Sequence, residues 1–117
     1  MTSPSQVVGA DAEEIAARFL ASHGLAIVER NFRTRFGEID LIARDGASLV
    51  FVEVRMRTHA GYGGAAESVD SSKRGRIVAA SRAYLASLRP EPPCRFDVVT
   101  LDGESAKWIR AAFEVAG

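Results

Sequence analysis

The sequence predicts an α/β domain built on a mixed sheet, and three observations carry that prediction. Two neighbouring apolar runs of strand length, Gly37-Glu38-Ile39-Asp40-Leu41-Ile42-Ala43 and Leu49-Val50-Phe51-Val52-Glu53-Val54-Arg55, flank Asp45-Gly46, a strong hairpin signal. Segments with helical periodicity lie before the first run and after the second. A further apolar run, Arg95 to Leu101, follows the second helix. That helix is therefore a crossover, and the strands it joins are expected to be parallel with a right-handed connection.

The elements follow in order. Residues 1–6 form a polar lead, expected to be frayed, and residues 7–117 a single domain. Val7, Ile15, Phe19 and Leu20, with Ala12, Ala16 and Ala17, make an amphipathic helix that Gly24 ends. Its acids Asp11, Glu13 and Glu14 lie in the first half, where the helix dipole favours them. Leu25 to Phe32 reads as a strand, and Arg33-Thr34-Arg35 as a basic turn into the hairpin. Glycines 61, 63 and 64 make the segment from Arg57 to Glu67 a loop. Ser71 or Ser72 is the expected cap of the second helix, whose apolar side is Ile77, Val78, Ala80, Ala83, Tyr84 and Leu85. Pro90, Pro92 and Pro93 forbid its continuation. After the strand at Arg95 to Leu101, Asp102-Gly103 turns the chain into a short edge strand around Trp108 and Ile109.

The hairpin carries acid where a sheet normally carries none. Side chains alternate along a strand, so Glu38, Asp40 and Ile42 share one face of the first run, and Phe51, Glu53 and Arg55 one face of the second. If Asp45-Gly46 alone forms the turn, Glu38 faces Glu53; if Ala47 and Ser48 join the loop, Asp40 faces Glu53. Both registers gather the acids on one face and leave Ile39, Leu41, Val50, Val52 and Val54 as a core on the other. Burying a carboxylate costs several kcal/mol unless a cation answers it, and Arg55 brings a single charge. A divalent metal ion is the expected partner; the competing reading is ion pairs on a solvated sheet face.

Composition narrows the classes. With 117 residues, 47% of them hydrophobic, the chain can bury a core without staples. Basic and acidic residues balance at 15 each, so no overall field points to a polyanion. Between Arg30 and Arg82, however, ten basic residues meet six acidic ones. One cysteine, Cys94, excludes an internal disulfide, and with two histidines it cannot build a tetrahedral zinc site. A reducing cytoplasm is the expected location, and no run is long enough for a membrane span. No phosphate-binding glycine loop with a following Lys-Ser or Lys-Thr is present, and no Gly-x-Ser-x-Gly elbow.

The two acidic-apolar blocks, together with Lys73, Tyr84-Leu85 and Arg95-Phe96-Asp97-Val98-Val99, resemble the YraN-like family of small bacterial proteins. That family is similar in turn to Holliday-junction resolvases and PD-(D/E)xK nucleases. The likeness runs from about Val7 to Phe113. It implies a restriction-endonuclease-like fold in the order given, nucleic acid as substrate with DNA ahead of RNA, and Mg²⁺ or Mn²⁺ as cofactor. On the resemblance, Asp40 and Glu53 are metal ligands, with the carbonyl of Val54 a third. Glu13 matches an acid that relatives carry on the first helix, with a plain helix-end charge as its alternative. Glu38 is divided between ligand and ion-pair partner. Arg55 stands where such nucleases usually have lysine; a guanidinium stays charged, so its catalytic part is limited to donating hydrogen bonds and stabilising negative charge. Lys73 can supply an ammonium group from another element. Asp97 matches an aspartate of the family and is expected to make a buried structural hydrogen bond. Arg33, Arg35, Arg57, Lys73, Arg74 and Arg76 flank the seam on loops and a helix start, as candidate phosphate contacts.

Three functions follow as expectations: a metal-dependent endonuclease-like phosphodiesterase acting on DNA, branched DNA included; a non-catalytic nucleic-acid-binding module with a degenerate site; or a protein-interaction domain whose acids are ion pairs. A branched substrate would suit a symmetric homodimer, but no residue commits the chain to one.

Overall fold

The computed structural model describes residues 4–56, 69–103 and 105–113, with side chains from Ala12 onward. Arg57, the glycine-rich loop, the first three residues of the lead and the side chains of Val7 and Asp11 lie outside the described residues. The order is α1 (Pro4–Ser22), β1 (Ala26–Arg33), β2 (Glu38–Asp45), β3 (Ser48–Met56), α2 (Ser71–Leu85), β4 (Cys94–Asp102) and β5 (Ser105–Phe113).

Helix α1 starts at Pro4, upstream of the expected Val7, because proline is tolerated in a first turn that needs no amide donor. Gly24 ends it as expected. Its φ of 95° lets the Leu25 amide return to the Leu20 carbonyl and its own amide to that of Ala21. Helix α2 is capped by Asp70, where Ser71 or Ser72 was expected: the Asp70 carboxylate accepts the Lys73 amide at 2.8 Å, and both serines are already helical.

The strands form one sheet in the order β1-β2-β3-β4-β5. β3 and β4 are parallel, as a helical crossover requires, and every other pair is antiparallel. The β2–β3 turn consists of Gly46 and Ala47, since Asp45 pairs with Ser48 and Ala43 with Val50. Gly46 takes φ 62°, so the residue that signalled the turn occupies its left-handed position. This register is the second of the two expected, and extending it past Leu41↔Val52 sets Asp40 opposite Glu53. β5 is nine residues long, not short; a bulge opposite Phe96 to Val98 absorbs its irregularity.

Both faces of the sheet are cores, where the sequence suggested one. Under α1, Leu41, Ala43, Val50, Val52, Val99 and Leu101 pack on Ala12, Ala16, Ala17 and Leu20. Under α2, Ile42, Leu49, Phe51, Phe96 and Val98 pack on Ile77, Ala80 and Leu85. Ile39 joins this second cluster, against expectation. Alternation breaks there because the β2–β3 pairing stops at Leu41, and the Val54 amide donates to the Asp40 carboxylate instead. No described helix is long and apolar enough to cross a membrane.

Candidate active site

The end of the β2–β3 ladder brings Asp40 and Glu53 together on the α2 side of the sheet. Glu53 is buried, with 4% of its surface exposed. The Arg55 Nη1 lies 3.6 Å and the Lys73 Nζ 3.4 Å from its Oε2. Lys73 reaches it from the first turn of α2, so β2, β3 and α2 each contribute to one site. Asp40 accepts the Val54 amide at 2.8 Å. Burial, then the hydrogen bond and charge of Glu53, push its carboxyl up to about 7, against the smaller opposing influence of the Val54 amide and Lys73. Two carboxyl groups thus face one another in a half-dry place with Arg55 and Lys73 beside Glu53, and near neutral pH the Asp40 carboxyl is partly protonated.

Lys73, the residue that contacts Glu53, borders an open cleft of about 330 Å³. The turn from Arg33 to Glu38 forms one wall, and Lys73 and Arg76 of α2 form the other. Four of the six residues chosen from the sequence as phosphate contacts, Arg33, Arg35, Lys73 and Arg76, therefore share one cleft; Arg74 is not among its lining residues, and Arg57 lies outside the described residues. Lys73 lines the cleft and also contacts Glu53, which joins the basic surface to the acid pair. The walls meet at Gly37: a Cβ there would stand 2.4 Å from the Arg76 carbonyl oxygen, so only glycine lets turn and helix touch backbone to backbone.

The other acids go elsewhere. Glu38 is paired with Arg33 at 3.2 Å on the surface, the ion-pair alternative. Glu13 accepts a hydrogen bond from Asn31 Nδ2 at 2.9 Å. Among the described residues no three His, Cys, Asp or Glu side chains converge as a metal site, so the four-acid set of Glu13, Glu38, Asp40 and Glu53 reduces to Asp40 and Glu53. Arg74 donates from Nε to the Val69 carbonyl and lies over the Phe113 ring, away from the cleft lining. Asp97 is fully buried and accepts from Arg95, Trp108 and the Ala111 amide, the structural role expected of it. Sequence reasoning passed over Phe36 and the bracing role of Thr34; an apolar residue inside an otherwise basic turn was the available signal.

Against this geometry, the profile of the uncharacterised protein family UPF0102 matches residues 12–101. The chain belongs to that family. It is the YraN-like family that the strand blocks resemble, and the matched residues include β1 to α2 with Asp40, Glu53, Arg55 and Lys73. A UPF0102 protein of Nitrosospira multiformis is 56% identical over 110 residues, which cover 92% of each chain. One from Dechloromonas aromatica is 55% identical over 105 residues, covering 90% of this chain and 87% of its own. One from Halorhodospira halophila is 54% identical over 105 residues, covering 90% and 85%.

Proposed function

We propose that this chain is a metal-dependent phosphodiesterase of the nuclease kind acting on DNA, with Asp40 and Glu53 as its metal ligands. The observation that carries the reading is that Lys73 both contacts Glu53 of the acid pair and lines a cleft that also bears Arg33, Arg35 and Arg76. The donor set suits Mg²⁺ or Mn²⁺. Both side chains offer hard oxygens, and Mg²⁺ commonly takes only one or two protein carboxylates and completes its shell with water and substrate phosphate. Bound there, the ion would supply an activated water and charge stabilisation on the phosphate.

The remaining roles belong to the chain itself. The cleft arginines hold the phosphate backbone by paired hydrogen bonds without reading sequence. Arg55 stays cationic and stabilises negative charge on the scissile phosphate. Lys73 carries the amine that Arg55 lacks; at 3.4 Å from Glu53 it is the group able to orient a water or exchange a proton in this site.

Titration of Mn²⁺ into wild type, Glu53→Gln and Asp40→Asn, with cleavage of branched and linear DNA followed in parallel, tests the reading. Saturable binding in wild type, weakened roughly tenfold or more in each variant together with loss of cleavage, is the expected result. Absence of saturable binding in wild type would overturn it. A second reading, a DNA-binding module that has lost the reaction, is favoured by Arg55 at the customary lysine position. It expects metal-independent affinity that falls steeply with salt, and no cleavage unless Arg55→Lys restores it.

A further inference from the structure

The turn between β1 and β2 holds an aromatic ring out in solvent on a braced mount. Phe36 is 61% exposed, more than Val28 at 44% or Met56 at 42%, and it is the one aromatic among the exposed large apolar residues described. A floppy turn would explain such exposure trivially, but this one is tied. The Thr34 amide donates to the Gly37 carbonyl at 2.8 Å, and the Thr34 hydroxyl accepts the amides of Phe36 and Gly37, each at 3.1 Å. Gly37 in turn abuts the α2 backbone at Arg76, which fixes the turn against the helix. The Arg35 guanidinium lies 5.7 Å from the Phe36 ring centre. Ring and guanidinium both border the cleft that Arg33, Lys73 and Arg76 make basic.

We propose that Phe36 is a stacking platform for an unpaired base, so that the cleft takes nucleic acid at a single-stranded stretch in preference to uninterrupted duplex. Cations hold phosphate whether or not the strand is paired. A ring face contributes only where a base face is open to it, and inside duplex the neighbouring bases occupy those faces. An exposed ring fixed among phosphate-binding groups therefore distinguishes strands by pairing, and stacking of one base on an aromatic ring alters affinity roughly five- to hundredfold. The inference rests on reading the cleft as a nucleic-acid site. It does not require metal or cleavage.

The test measures fluorescence anisotropy of a labelled oligothymidylate and a blunt duplex of equal length, in EDTA and at fixed salt, with wild type, Phe36→Ala, Phe36→Trp and Arg76→Glu. Phe36→Ala is expected to weaken oligothymidylate binding about tenfold while duplex affinity stays within about twofold, and Phe36→Trp to keep the preference. Phe36 is exposed, so an unchanged thermal melt separates this effect from misfolding. Should Phe36→Ala weaken both ligands alike, or neither, while Arg76→Glu weakens both, the stacking role is overturned and the cleft reading stands. If wild type binds neither ligand, the cleft reading falls and the stacking role with it.

Discussion

Two aspartates sit mid-strand inside the same sheet, and the molecule treats them in opposite ways. Asp97, on the α1 side of β4, is met by donors: Arg95 Nε at 3.1 and 3.2 Å, Trp108 Nε1 at 2.9 Å and the Ala111 amide at 2.9 Å. Arg95 extends the network to Asp45 at 3.0 Å, leaving its Nη2 as the buried side-chain nitrogen without a partner among the described residues. Asp40, on the α2 side of β2, accepts one amide and faces a second carboxyl group. Burial of an acid is thus common to a structural hub and a candidate site; what separates them is whether the neighbours are donors or acceptors.

The largest expected effect breaks the satisfied member. Asp97→Ala would leave the Arg95 guanidinium, the Trp108 indole and the Ala111 amide inside the fold without their common acceptor. A loss of roughly 3–5 kcal/mol is expected, in line with removal of one partner from a buried charge pair. The urea midpoint measures it. A loss below about 1 kcal/mol would mean that water replaces the carboxylate easily and that the contrast with Asp40 is weaker than the contacts imply.

The next effect has the opposite sign and depends on pH. Asp40 titrates near 3.8 unfolded and is raised to about 7 in the fold. The native state therefore binds the proton more tightly than the unfolded chain does. Stability from this proton is complete below about pH 4, declines as pH rises, and is gone above about pH 7, a difference of roughly 2–4 kcal/mol over that window for a partly buried pair. Asp40→Asn should flatten this slope and make the protein more stable than wild type at alkaline pH. Urea melts of both proteins across the window measure it, and parallel curves would remove the acid pair as a strained element.

What the sequence could disclose about these two residues follows the range of the forces involved. That Asp40 and Glu53 share a face was legible because alternation along a strand is local. The register was not, because Asp45-Gly46 signals a turn without saying whether Gly46 takes its first or second central position. The cap of α2 stayed open for a similar reason: Asp70, Ser71 and Ser72 are three competent caps in succession, and only the position of α2 against the sheet selects one. Ile42 and Phe51 share the face of the acids, but they are visible as the floor of a second core only once α2 covers them. The approach of Lys73 to Glu53, and the diversion of Glu38 to Arg33 and of Glu13 to Asn31, are likewise products of tertiary placement.

The smallest effects ask whether the open pair depends on the contact between the turn and α2. In Gly37→Ala the new methyl would meet the Arg76 carbonyl oxygen at 2.4 Å and its carbon at 2.8 Å, backbone atoms that cannot swing aside. Turn and helix must part, with an expected cost of roughly 1–3 kcal/mol. Lys73 and Arg76 ride on that helix, so DNA affinity should fall with stability. Gly75→Ala is the matched control, one residue from Arg76 on the same helix with nothing within 4 Å of the added carbon. It is expected to raise stability by about 0.5–1 kcal/mol through helix propensity alone and to leave affinity unchanged. Thermal melts and anisotropy on both variants separate the two causes. If Gly75→Ala lowered affinity as Gly37→Ala does, the cleft would be responding to the rigidity of α2, and the backbone contact at Gly37 would not be what holds the basic wall beside Glu53.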